Sequence, residues 1–242
     1  MVERSEIQFG LTPIPFTIRR SDRRTTVALT IDEGKLVVTA PAETSIDKLN
    51  AVVRHKAPWV VERIKRASDL PPPPDDRELI NGEAVLYLGR QYRLKVIDSA
   101  EVREPRIWAG WYEVPIPAGL AGQARREEVR RRLLGSLKGR ADLYLPSHLA
   151  MLCTRLGVEK PSIIVCEQHK RWGSCDAKGT LRINWRIVQA PIPLIEYVLV
   201  HELVHRDHLR HGPEFWAALG RLMPDYEGRR ARLRAMGRVL EW

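Results

Sequence analysis

The segment Ile195–Trp216, IEYVLVHELVHRDHLRHGPEFW, holds the strongest local pattern in the chain. Leu194, Ile195, Val198, Leu199 and Val200 lead up to its histidines, and Leu203 and Val204 lie between them, so the run is apolar nearly all round. A helix with no polar face is a buried helix. Set into it are His201, Glu202 and His205, the His-Glu-x-x-His spacing. Residues four apart share one helix face, so both imidazoles can reach a single Zn2+ at about 2.0–2.1 Å. Glu202 lies one residue further round, where it takes a proton from water instead of ligating. Polar groups on a buried helix are costly unless satisfied, and a metal supplies a partner.

A third ligand has to come from downstream, where His208, His211 and Glu214 compete. A straight helix would carry His208 about 10.5 Å along the axis from His201, too far to converge on one ion. The chain must therefore bend back. Arg206–Gly212 reads as a turn and Pro213 as the first residue of the next helix, which favours His211 over His208.

Upstream, Arg171-Trp172-Gly173-Ser174-Cys175 precedes Gly179–Asn184, where Leu181 and Ile183 alternate with Arg182 and Asn184. That alternation marks a half-buried strand. It is the candidate edge on which an extended peptide would be held by main-chain hydrogen bonds. Arg171, Ser174, Asn184, His208 and Tyr226 are the candidate substrate contacts. Arg171, His169, His208 and Tyr226 are the candidate oxyanion donors. Glu196 and Asp225 are the candidate acceptors for imidazole N–H groups. Cys175 reads as an inert thiol.

The amino-terminal part reads as β-rich. Three short strands are expected over residues 15–40, with TVALTI (Thr26–Ile31) and KLVVTA (Lys35–Ala40) turning at Asp32-Glu33-Gly34. Thr44 and Asp47 suggest a helix start, Pro58 begins a second helix, and Trp59, Val60 and Ile64 would face a core. Pro71–Pro74 is a stiff connector. Ala84–Leu88 and Gln91–Ile97 form a hairpin at Gly89-Arg90, and a further strand surrounds Trp111–Val114. Pro115, Pro117, Gly119 and Gly122 read as a break, placing a domain boundary at 118/119. Residues 124–156 are helical, and their arginines and glutamates, spaced three and four apart, form a solvated, ion-paired face.

The net charge is +10. A nucleic-acid partner would use that charge, but the arginines are scattered from end to end, as biased composition alone produces. The start lacks a signal-peptide core, and no apolar run is long enough for a bilayer span. Cys153, Cys166 and Cys175 form no close pair. A cytoplasmic protein without disulfides or membrane contact is the expectation.

Taken together, RWGSC (171–175), INWRIVQAP (183–191), EYVLVHELVH (196–205) and HGPEFW (211–216) resemble the YgjP-like metallopeptidases. RRSDRRTTVALTI, APAETSIDKL, KAPWVVERI and NGEAVLYLGRQYRLKV resemble that family's amino-terminal half. The resemblance implies an α+β chain. Residues 1–118 would be a β-rich region with a helix pair and the polyproline connector. Residues 119–242 would be a zincin-like half with the HExxH helix and a small antiparallel sheet. It also implies zinc on His201, His205 and His211, Glu202 as catalytic base, and a peptide or protein substrate. SprT-like and WLM proteases, some acting on proteins crosslinked to DNA, are more distant relatives. Three rival functions remain: a protease recruited to nucleic acid, a non-catalytic zinc scaffold, and a hydrolase of non-peptide amides.

Overall fold

The computed structural model describes residues 3–32, 34–68, 77–168 and 170–240. The polyproline connector and His169 lie outside the described residues. Two compact units divide the chain, Met1–Pro72 and Pro73–Trp242.

In the first unit, strands β1 (Glu3–Phe9), β2 (Thr12–Arg20), β3 (Ala28–Asp32) and β4 (Lys35–Ala40) form one sheet in the order β1-β2-β4-β3. β1 and β2 are an antiparallel hairpin, β3 and β4 another, and β2 runs parallel to β4. Period-two alternation puts Ile14, Phe16 and Ile18 of β2 on one face with Leu36, Val38 and Ala40 of β4. Leu49 and Val53 of α1 (Ile46–His55) and Ala57 and Val60 of α2 (Ala57–Ser68) complete that core. Helix α1 begins one residue later than expected. Ser45, not Thr44, is the cap, and its hydroxyl accepts from the Lys48 N–H at 3.4 Å. Trp59 is 39% exposed, because the buried stripe of α2 runs through Ala57, Val60 and Ile64. It instead carries the guanidinium of Arg63, 5.8 Å over its ring.

The second unit contains β5 (Ala84–Tyr87), β6 (Arg90–Ser99), β7 (Arg106–Trp108) and β8 (Trp111–Pro117), ordered β5-β6-β8-β7. Pro115 and Pro117 belong to β8 and do not end it. β7 reaches only to Glu113, so beyond that point one side of β8 is without a strand and proline costs no ladder bond there. The 35-residue helix α3 (Gly122–Leu156) lays Val129, Leu133, Leu137, Ala141, Leu145 and Leu149 on one stripe. That stripe packs with Leu94, Tyr112, Val114 and Ile116 of the sheet. On its outer face Arg131 pairs with Glu128 three residues back at 2.6 Å, while Arg125 reaches across to Asp98 of β6. This shared core is why the division falls at 72/73 and not at the proline- and glycine-rich break near 118.

A second sheet of this unit has the order β10-β11-β9, from β9 (Ile163–Cys166), β10 (Gly173–Cys175) and β11 (Leu181–Asn184). It is mixed and not purely antiparallel, since β11 pairs antiparallel with β10 but parallel with β9. A 3-10 turn at Trp185–Gln189 leads to α4 (Ile192–Val204), followed by α5 (Pro213–Leu222) and α6 (Tyr226–Met236). The β5–β6 turn docks on the approach to α4. Leu88 and Gly89 both have positive φ, and their N–H groups donate to Val188 and Gln189 carbonyls at 2.7 and 3.3 Å. A Cβ on Gly89 would lie 2.6 Å from Pro191 Cα, so only glycine lets the turn close on this segment.

Candidate metal centre

Every residue of α4 from Leu194 to Val204 is buried except His201, which is half-buried. This matches the all-round apolar pattern of the sequence. The helix ends at His205, the chain turns through Arg206–Gly212, and Pro213 opens α5. That reversal carries His211 back over the helix end. His211 Nε2 stands 2.9 Å from His201 Nε2 and 3.1 Å from His205 Nε2. The three nitrogens form the one group of metal-ligating side chains found among the described residues.

The donor set fits a metal. His205 Nδ1 lies 2.9 Å from the His208 carbonyl, so it carries the proton and donates. His205 Nε2 therefore presents a bare lone pair to the cluster. Three such nitrogens round one zinc at about 2.0–2.1 Å would stand roughly 3.3 Å apart, close to the spacing here. Burial, then the charges of His205 and His211, push His201 down to about 3. Burial and His205 lower His211 as well. Both are held in the neutral form that ligates a cation. His201 Nδ1 is buried without a hydrogen-bond partner.

Phe215 was missed by sequence reasoning. Fully buried on α5, its ring centroid lies 4.9 Å from His201 and 4.6 Å from both His205 and His211. It packs against all three imidazoles and restricts their rotamers. Trp216 beside it stacks on His211 at 5.5 Å and donates its indole N–H to the His211 carbonyl. Aromatic residues just after the ligand were the available signal.

The cluster opens into a cleft of about 650 Å3, bounded by α4, by Arg171–Cys175 and by Arg230, Leu233 and Arg234 of α6. Glu202 lines it, and burial raises its carboxyl to about 7, opposed by the charge of Arg171. Its carboxylate lies so close to β10 that a Cβ on Gly173 would meet Glu202 Cγ at 2.7 Å and Oε1 at 2.8 Å. The Cys175 thiol is raised, first by burial and then by Glu202 and Asp176, which makes it a poor nucleophile.

Of the expected substrate contacts, Arg171 and Ser174 line the cleft. Asn184 does not. It is buried, its amide donates to the Gln168 and Arg171 carbonyls at 2.6 and 3.3 Å, and its oxygen caps the following turn. It braces the loop that carries Arg171. β11 is the central strand and has no free edge; β10 and β9 are the edge strands, and β10 is the one beside the cleft. His208 lines a separate depression with Arg206 and Arg221, and its contribution to the centre is the carbonyl on His205. Tyr226 stacks on Trp216 at 5.6 Å, and its hydroxyl meets Glu227. Glu196 and Asp225 serve no imidazole of the cluster. Glu196 pairs with Arg155 at 3.2 Å and Arg229 at 3.1 Å, tying α3 and α6 to α4, and Asp225 pairs with Arg229 at 2.9 Å.

Comparison with known families decides what this arrangement belongs to: the description "YgjP-like, metallopeptidase domain" matches residues 25–236. The chain belongs to the YgjP-like family. The matched domain is a metallopeptidase domain, and the match spans both compact units. No curated protein matches this YgjP-like chain. Among solved structures, the metallopeptidase zymogen of Pyrococcus abyssi abylysin is 19% identical, with a TM-score of 0.35, covering 39% of this chain and 94% of its own. That of Methanocaldococcus jannaschii jannalysin is 22% identical, with a TM-score of 0.34, covering 39% and 96%. Superpositions this loose carry no argument about the YgjP-like chain. Among its described residues no helix is long and apolar enough to cross a membrane.

Proposed function

We propose that this chain is a zinc-dependent peptidase of the cytoplasm that hydrolyses peptide bonds in the α4 cleft. The observation that carries the reading is the convergence of His201, His205 and His211 Nε2 beside the buried carboxyl of Glu202. Three imidazoles and no thiolate suit zinc, and three protein ligands leave a position open, as catalytic sites do and closed structural sites do not. Bound zinc would supply an acidified water and a Lewis acid for the scissile carbonyl.

The protein's own residues do the rest. Glu202 takes the proton of the attacking water on a carboxylate oxygen and returns it to the leaving nitrogen. Burial raises this carboxyl in the metal-free protein, and the charge of bound zinc would oppose that rise. The free edge of β10 offers main-chain groups to an extended peptide beside Glu202. Arg171, in the cleft wall, is the donor best placed to meet a developing oxyanion.

Zinc content and cleavage of an unfolded protein test this together. Wild type should hold about one zinc per chain, and His205→Ala should lose it. Glu202→Gln should keep the metal and lose at least about a thousandfold in turnover, on the scale of removing a general base with its water-activating role. Full activity of Glu202→Gln, or wild type without zinc, would overturn the reading. Cleavage that needs single-stranded DNA would move it to a nucleic-acid-recruited protease, which the +10 charge would serve.

A further inference from the structure

Several arginines elsewhere in this unit are neutralised by carboxylates. Arg125 pairs with Asp98, Arg131 with Glu128, Arg186 with Glu167, and Arg229 with Asp225 and Glu196. The cleft departs from this. Arg171, Arg230 and Arg234 line it, and none makes an ion pair or a side-chain hydrogen bond with a carboxylate among the described residues. Glu202 is the one carboxylate in the lining. Like charges gathered at one opening repel unless an anion sits among them.

The second observation is how Arg230 is held. Its guanidinium lies 4.7 Å over the Trp216 ring, and Trp216 is itself stacked between Tyr226 and His211. Stacking uses the guanidinium face and leaves its N–H edge unspent, ordered and next to the metal ligands. Arg234 follows one turn later on α6, so both arginines flank Leu233 on the same wall. A fixed guanidinium edge is shaped for the two oxygens of a carboxylate.

We propose that the α6 wall is a carboxylate-binding subsite, in which Arg230 and Arg234 hold a substrate carboxylate next to the bond to be cut. The carboxylate is either an acidic side chain or the free C-terminus of the substrate. The assignment rests on the peptidase reading above. A nucleic-acid strand is the less fitting occupant, because its phosphates need a basic track along a surface and these arginines line a cleft sized for a few residues.

Binding to zinc-loaded Glu202→Gln protein, followed by calorimetry, tests this without turnover. The ligands are one peptide carrying a single Glu or a single Gln, each with a free or an amidated C-terminus. The carboxylate form should bind about tenfold more tightly than its neutral counterpart. Arg230→Gln and Arg234→Gln should each bring that ratio towards unity, and Arg230→Lys should restore part of it. A ratio set by Glu against Gln identifies an acidic side chain, and one set by free against amidated ends identifies a terminal carboxylate; both support the subsite. Equal binding of all forms, or a preference that survives both Gln variants, overturns it. So does single-stranded DNA that displaces peptide more strongly than acidic peptide does and loses this effect in the same variants. Wild-type cleavage of an unfolded protein keeps the two ideas apart. Cleavage with a flat ratio removes only the subsite, whereas no cleavage and no peptide binding removes the peptidase reading and the subsite with it.

Discussion

A carboxyl buried against Gly173 keeps its proton up to about 7, while in the unfolded chain it would lose it near 4.5. Between those values the folded metal-free protein holds a proton that the unfolded one has released. Glu202 therefore lowers stability progressively as pH rises through this window, and the loss is complete above the folded value. The full cost is on the order of 3 kcal/mol, since each tenfold change in proton affinity is worth about 1.4 kcal/mol. Glu202→Gln has no such proton to lose. Denaturant unfolding of the metal-free proteins should show the variant drawing level near pH 4.5 and gaining that margin by pH 8. A difference that stays constant with pH would mean the carboxyl is open to water. The histidines were legible because four-residue spacing on a helix is local geometry. Phe215, Arg230 and Arg234 were not, because separate helices bring them to the centre. Asn184 illustrates the converse error: a polar residue near the site whose groups are all spent on the loop it braces.

A strand that alternates over five or more residues, such as β6, can be read from its pattern, since period two separates a buried face from an exposed one. β7 and β10 have three residues each, too few to show a period. The sheet order could not be read either, and it decides that β10, not β11, has the free edge beside Glu202. Gly173 makes that closeness possible. Its backbone is open to any residue, but a methyl group would displace the Glu202 carboxylate. Gly173→Ala should therefore retain zinc and lower kcat by about tenfold or more, a displacement of roughly 1 Å being enough for such losses. Metal analysis beside steady-state kinetics would check this, and unchanged kcat would show that Glu202 has room to move at no cost.

At the scale of the whole molecule, two hydrophobic cores divide the work. Ile14, Phe16, Val38, Leu49 and Val60 belong to one, and Leu94, Tyr112, Leu137, Leu199 and Phe215 to the other, with no described residue in both. The expected boundary at 118/119 followed prolines and glycines, which report local backbone breaks. It missed that Leu94 and Tyr112 share a core with α3, a long-range fact. The corrected division has a functional consequence, because all three histidines, Glu202, β10 and the α6 arginines lie in Pro73–Trp242. A core of that size buries enough apolar surface to fold unaided. A chain beginning at Pro73 should therefore unfold cooperatively, bind about one zinc and cleave an unfolded protein in a Glu202-dependent way. Calorimetry, metal analysis and a cleavage assay on this fragment would check each point. A folded, zinc-loaded fragment that cuts short peptides but not proteins would assign the first unit to substrate recruitment. A fragment that does not fold would mean the second core needs the first, even though the two share no described residue.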